Sequence, residues 1–288
     1  MGNIISKLIM QNITTINTFY KDLVRDIMTN GTEELNQRTG LKVKILTGIN
    51  ATFDTAIDFP LLTLRKIPLK LFVAEMIWYL QGVKELDFFQ KFSRIWDDFM
   101  DNDNTAQCGY GYRWKNGLGR DQITGLINML QADASSRQGV VITWDAKTDG
   151  LDSPLQKNVP CVPMWVANIV GDKLNLHFIF RSNDVMLGLP HDIAGFGLLQ
   201  HILAQKLGVK VGLLHYSCSH CHIYENHYAQ AMEILDRKLE PQAIKLILPD
   251  NVFERAVDGD ELVVAQIFEN LKSQYKPLPS LGKMQIAL

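Results

Sequence analysis

The chain has 288 residues, 47 % hydrophobic and 21 % charged, which suits a globular protein able to bury a core without disulfide or metal staples. Its 29 Lys and Arg against 31 Asp and Glu give a net charge of −2, which offers no general basis for binding nucleic acid or a membrane surface. No apolar run approaches the length of a membrane span. The length favours one large domain, 1–288, with 1–30 as an N-terminal helical appendage and 270–288 as a closing tail.

The start, MGNIISKLIMQN, lacks the continuous apolar core of a secretory signal, which predicts a cytoplasmic location and reduced thiols at Cys108, Cys161, Cys218 and Cys221. It also fits the acylation pattern M-G-x-x-x-S at Gly2, with a plain lead-in to a helix as the competing reading. Residues 14–30 place Ile16, Phe19, Leu23 and Ile27 at helical spacing, with Thr14 or Thr15 as cap. LKVKILTGINATFD alternates and is β-branched, so it predicts a strand. PLKLFVAEMIWYLQG predicts an apolar helix stopped by Gly82. Its one mid-helix charge, Glu75, is either a carboxylate at a groove edge or a general acid-base whose pKa burial has tuned.

Further on, DQITGLINMLQADASSR predicts an amphipathic helix and QGVVITWD a strand. MWVANIVGDKLNLHFIFRS predicts a hairpin turning at Gly171-Asp172. DIAGFGLLQHILAQKLG predicts a long central helix. VGLLHYSCSHCHIYENH opens as a strand and runs into the helix YAQAMEILDRKL, and residues 240–288 wrap the core. Helices and strands mix without a strict β-α-β rhythm, which predicts an α+β fold.

Three features carry chemistry. Cys161, between prolines in NVPCVPM, is either a small buried apolar residue or a thiol nucleophile that needs a cation nearby. Arg181, at a predicted strand end and followed by Ser182, Asn183 and Asp184, makes an oxyanion or phosphate cradle, or else a surface turn. The run Cys218-Ser-His-Cys221-His222 has the C-x-x-C-H spacing of haem attachment and the donors of a zinc site. Haem attachment needs an exported chain. Zinc needs converging ligands, whereas strand alternation sends Cys218 and Cys221 to opposite faces and His220, His222 and Tyr224 to one.

The order of segments resembles the thymidylate synthase and deoxycytidylate hydroxymethylase family. RTG at 38–40, DFPLLTLRK, AEMIWYLQG, IWDDF, YGYRW, SSRQGVV, VPC, FRSNDVMLGLPHDIAGFGLL, HIYENH and the final GKMQIAL follow in family order. The resemblance implies a mixed β-sheet with flanking helices and a homodimer formed through the sheet. It implies that Cys161 attacks C6 of a pyrimidine nucleotide and that Arg38, Arg181 and Ser182 hold the 5′-phosphate. Arg137 would reach the partner's phosphate site, with Gln138 standing where a second arginine is usual. Glu75 would relay protons to the base. Trp96 and Tyr110 would line the site, Asp184 would contact the pterin of methylenetetrahydrofolate, and Arg65 would reach its glutamyl tail. His222 and Tyr224 would bind the sugar 3′-hydroxyl. No metal is implied.

The departures bear on the base. Val162 and Pro163 follow the cysteine where a histidine is usual, Ser219-His220 replaces Gly-Asp, and LPHDI puts Asp192 where an asparagine reads uracil. Cytosine presents a donor at N4 and an acceptor at N3, the inverse of uracil's edge. A carboxyl group accepts from N4 and pairs with N3 through one shared proton. An ionised Asp192 facing uracil O4 would oppose two acceptors at roughly 1–3 kcal/mol. The pairing favours cytosine, and the resemblance to the hydroxymethylase branch at Asp192 and Asn183 implies 5-hydroxymethylation, in which water adds at the transferred carbon. The alternatives are thymidylate synthesis, cytidylate 5-methylation, and a catalytically silent nucleotide-binding protein.

Overall fold

The computed structural model describes residues 12–101, 103–152, 158–238 and 242–287; the acylation pattern at Gly2 lies outside them. Helix α1 (Ile16–Asn30) is capped by Thr15, whose hydroxyl accepts the N–H of Thr18 at 3.2 Å. Its stripe of Ile16, Tyr20, Leu23, Val24 and Ile27 is buried in the main core, so α1 is built into the domain rather than appended to it. Strand β1 (Thr32–Leu35) has every side chain exposed, which removes the alternation that would announce it. It pairs antiparallel with β2 (Lys42–Asp54).

Helix α2 (Leu69–Gln81) is buried nearly all round and ends where Gly82 turns left-handed at φ 75°. Two short helices follow, α3 (Asp87–Gln90) and α4 (Tyr110–Tyr112), the second continuing into a wider turn over Arg113–Gly117. Helix α5 (Gln122–Ala132) stops five residues before its expected end. There the Asp133 carboxylate takes the N–H of Ser135 at 2.9 Å and offers the backbone a turn instead of helix.

Next come β3 (Val140–Ile142) and the hairpin β4 (Met164–Val170) and β5 (Lys173–Phe180), turning at Gly171 with φ +65°. The short β6 (Asn183–Asp184) precedes α6 (Gly188–Leu207). Helix α6 begins four residues earlier than expected, because Pro190 falls in the first turn, where no N–H is required of it. The chain returns through β7 (Lys210–Tyr224) to α7 (Tyr228–Asp236). The expected wrapping segment contains two helices, α8 (Val252–Val257) and α9 (Glu261–Gln274). Helix α9 buries Val263, Val264, Ile267 and Leu271, and the tail begins only after it.

The sheet order is β1-β2-β7-β5-β4-β3, with β6 pairing β7 beyond the end of β5. Strands β5 and β7 are parallel across the α6 crossover and the other pairs on that path are antiparallel, which gives a mixed α+β sheet flanked by helices. The pairing of β2 with β7 skips Gly48 and Ser219, and Gly48 has φ +68°. This break overturns strict alternation along β7. Cys218 and Cys221 both point into the core, with Tyr216 Oη 3.2 Å from Cys221 Sγ.

Candidate active site

Cys161 is tied to two elements at once. Its N–H donates to Tyr110 Oη at 3.1 Å, and its carbonyl accepts the N–H of Arg181 at 2.9 Å. The Arg181 side chain folds back onto the same turn: Nε donates to the Pro160 carbonyl at 2.8 Å and Nη2 to Val159 at 3.1 Å, with Nη2 3.9 Å from Cys161 Sγ. Burial pushes the thiol pKa up, and the nearby Arg181 cation opposes that. Of the four cysteines only Cys161 keeps partial exposure.

Glu75 projects from the apolar α2 and accepts the indole N–H of Trp96 at 2.6 Å. Burial pushes its pKa up to about 7, against the hydrogen bonds from Trp96 and Tyr79, so the carboxyl can both give and take a proton near neutrality. Tyr79 also stacks on Tyr110 with ring centroids 5.2 Å apart, joining the carboxyl side of the site to the thiol side. Tyr79 was not foreseen; it lies four residues after Glu75, on the same helix face.

Asn183 Nδ2 donates to Asp192 Oδ2 at 2.8 Å. Burial, reinforced by Glu75 and Asp184, holds the Asp192 pKa well above the usual carboxylate range despite that bond. Asn183 Oδ1 is buried without a hydrogen bond. Asp184 commits Oδ1 to the N–H groups of Met186 (2.9 Å) and Leu187 (3.1 Å), which fixes the turn into α6. Glu75, Tyr110, Cys161, Asp184 and Asp192 all keep partial exposure.

His220, His222 and Tyr224 share one side of β7, with ring centroids 5.3 and 4.9 Å apart along the row. Burial lowers the His222 pKa, and its Nδ1 and that of His220 are buried without partners. Arg38 donates to the Ala287 carbonyl at 3.4 Å, bringing the 38–40 loop and the C-terminal tail together. Asn36 Oδ1 shapes that loop by accepting the N–H groups of Arg38 and Thr39, both at 3.1 Å. Ser182 is half-buried beside Arg181.

Two expected residues stand apart. Arg65 is buried at 5 % exposure and donates to the Met186 carbonyl, so it supports the turn after Asp184 from beneath instead of presenting itself to a ligand tail. Arg137 is exposed after α5, and among the described residues it makes no hydrogen bond or ion pair with the cluster. Also among the described residues, no group of three or more His, Cys, Asp or Glu is gathered to hold a metal ion, and no helix is long and apolar enough to cross a membrane.

A thiol beside an arginine, with two carboxyl groups held toward their protonated forms, equips an enzyme that adds a nucleophile to an electron-poor ring and moves protons around it. The model of the thymidylate synthase family matches residues 18–277, and the chain belongs to that family. It is thereby a one-carbon transferase of nucleotide biosynthesis, acting at C5 of a pyrimidine nucleotide with methylenetetrahydrofolate as co-substrate.

Proposed function

We propose that the chain is a (deoxy)cytidylate 5-hydroxymethylase. The observation that carries this reading is Asp192, bonded by Asn183 and held toward its neutral form by burial, at the position where the family resemblance implies that the base is read. A carboxylic acid offers one donor and one acceptor on a single edge. Because Oδ2 accepts from Asn183, the proton belongs on Oδ1. With Oδ2 toward the substituent at C4 of the base, cytosine finds an acceptor for its N4 amine and a donor for N3. Uracil in the same pose opposes O4 to Oδ2 and its N3–H to the acid proton, leaving buried groups unpaired.

The remaining roles follow the same pose. Cys161 Sγ adds to C6, which makes C5 nucleophilic. Arg38, Arg181 and Ser182 take the 5′-phosphate, and His222 and Tyr224 take the sugar hydroxyl. Glu75 exchanges protons with the base, and Tyr110 steadies the nucleophile's backbone. Asp184 keeps Oδ2 free for polar hydrogens of a pterin, and the half-buried indole of Trp96 offers it a flat wall. Methylenetetrahydrofolate supplies the one-carbon unit when bound, and water adds to the transferred carbon. The working unit is a homodimer through the sheet, with Arg137 reaching the partner's phosphate site. The exposure of Arg137 and the half-exposed outer row Val166, His177 and Ile179 on β4 and β5 support that assembly.

The test is a substrate panel. With methylenetetrahydrofolate and dCMP, CMP, dUMP or UMP, mass spectrometry is expected to find a cytidylate heavier by a hydroxymethyl group. Turnover of uridylates alone would refute the base assignment. A methylated cytidylate would keep that assignment and refute water addition.

A further inference from the structure

A buried ion pair close to the site has no role in the chemistry above. Arg113, just after α4, grips Asp149 with two hydrogen bonds of 2.8 and 3.0 Å, the side chains being 4 % and 0 % exposed. Asp149 in turn accepts the N–H of Asp145 at 2.9 Å and the Thr148 hydroxyl at 3.3 Å. Thr143 is held from the other side by the indole N–H of Trp114 at 2.8 Å. These bonds set the path of residues 143–149, and Trp144 is the large side chain they carry. The Trp144 ring lies 5.9 Å from the guanidinium carbon of Arg181. The backbone closes on this indole at Gly150, where φ is +62° and a Cβ would come within 2.9 Å of the ring.

Arg181 is thus restrained along one edge by the Pro160 and Val159 carbonyls and on its face by an aromatic ring. An arginine side chain gives up much rotamer freedom when it binds an anion, and a guanidinium fixed beforehand has less to lose. We propose that Trp144, held by the Arg113–Asp149 clamp, is a positioning residue. It sets the guanidinium plane of Arg181 so that its free N–H groups meet a phosphate while its charge stays beside the Cys161 thiol. The phosphate half of this rests on the nucleotide reading above; the thiol half does not.

The test compares Trp144→Leu and Trp144→Phe with the unaltered protein. The first readout needs no substrate: the pH profile of Cys161 alkylation by iodoacetamide. In the Leu variant the profile should move to higher pH, slowing alkylation at pH 7 by about threefold, while Phe keeps a ring face and restores it. The second readout is affinity for deoxycytidine monophosphate against deoxycytidine. The Leu variant should lose about threefold to tenfold for the monophosphate and nothing for the nucleoside. A folded Leu variant with an unshifted alkylation profile and equal losses for both ligands would overturn the proposal. A shifted profile with no loss specific to the monophosphate would uphold the positioning of Arg181 and refute its role as the phosphate group.

Discussion

Asp149 and Asp192 are both hemmed in by protein, but among the described residues only Asp149 has a cation. Arg113 meets it with two hydrogen bonds, and backbone and hydroxyl donors from its own loop occupy what remains. Asp192 has one amide donor from Asn183 and two carboxyl groups, Glu75 and Asp184, for electrostatic neighbours. Glu75 is built like Asp192, with an indole for its partner and no cation among the described residues. A buried charge that is fully paired holds a loop in place. A buried carboxyl left without a cation instead retains its proton, and that proton is available to a substrate.

Glu75→Gln should break the second arrangement most visibly. Turnover should fall by about 10²–10⁴, the usual worth of a positioned acid-base, as read by steady-state rates on the preferred nucleotide. Stability should move the other way. The folded-state pKa lies above the unfolded one, so the folded state holds the extra proton between pH 4.5 and about 7, and stability declines as pH rises through that window. Urea unfolding should therefore find the variant more stable by about 1–3 kcal/mol at pH 8 and nearly unchanged at pH 4.5. Loss of stability at pH 8 would mean that ionised Glu75 has a partner.

Asp149→Ala should sharpen the contrast from the other side. Removing the carboxylate leaves Arg113 buried and unpaired, and unfolding should become easier by about 3–5 kcal/mol in urea titrations. A change below about 1 kcal/mol, as at an exposed pair, would mean that the clamp is solvated.

Much of the scaffold was legible because local rules agreed with tertiary packing. Helix α2 ends at Gly82, and the β4–β5 hairpin turns at Gly171, both where the residue types demand it. Strand β1 carries the polar run TEEL on an exposed edge, with no buried face to leave a pattern. Helix α9 was legible but missed: Val263, Ile267 and Leu271 recur every four residues behind the cap Asp260. The break at Gly48 and Ser219 depends on two strands failing together, so neither strand alone announces it, and it drew Cys218 and Cys221 to the same side. In the site, motif residues were legible one by one, but their pairings were not. The bond between Asn183 and Asp192 spans nine residues across the turn into α6, and Trp144 meets Arg181 because a buried ion pair ties its loop, through Asp149, to Arg113 far back in the chain.

In the proposed function, Asp192 reads cytosine as a neutral acid oriented by Asn183. The most direct measurement is the ratio of kcat/KM for dCMP over dUMP in the unaltered protein and in Asp192→Asn. An asparagine amide pairs with uracil's edge, so the ratio should fall by about 10- to 100-fold, with the uridylate gaining in absolute terms. An unchanged ratio, with both substrates slowed equally, would contradict this reading and place base recognition on other residues.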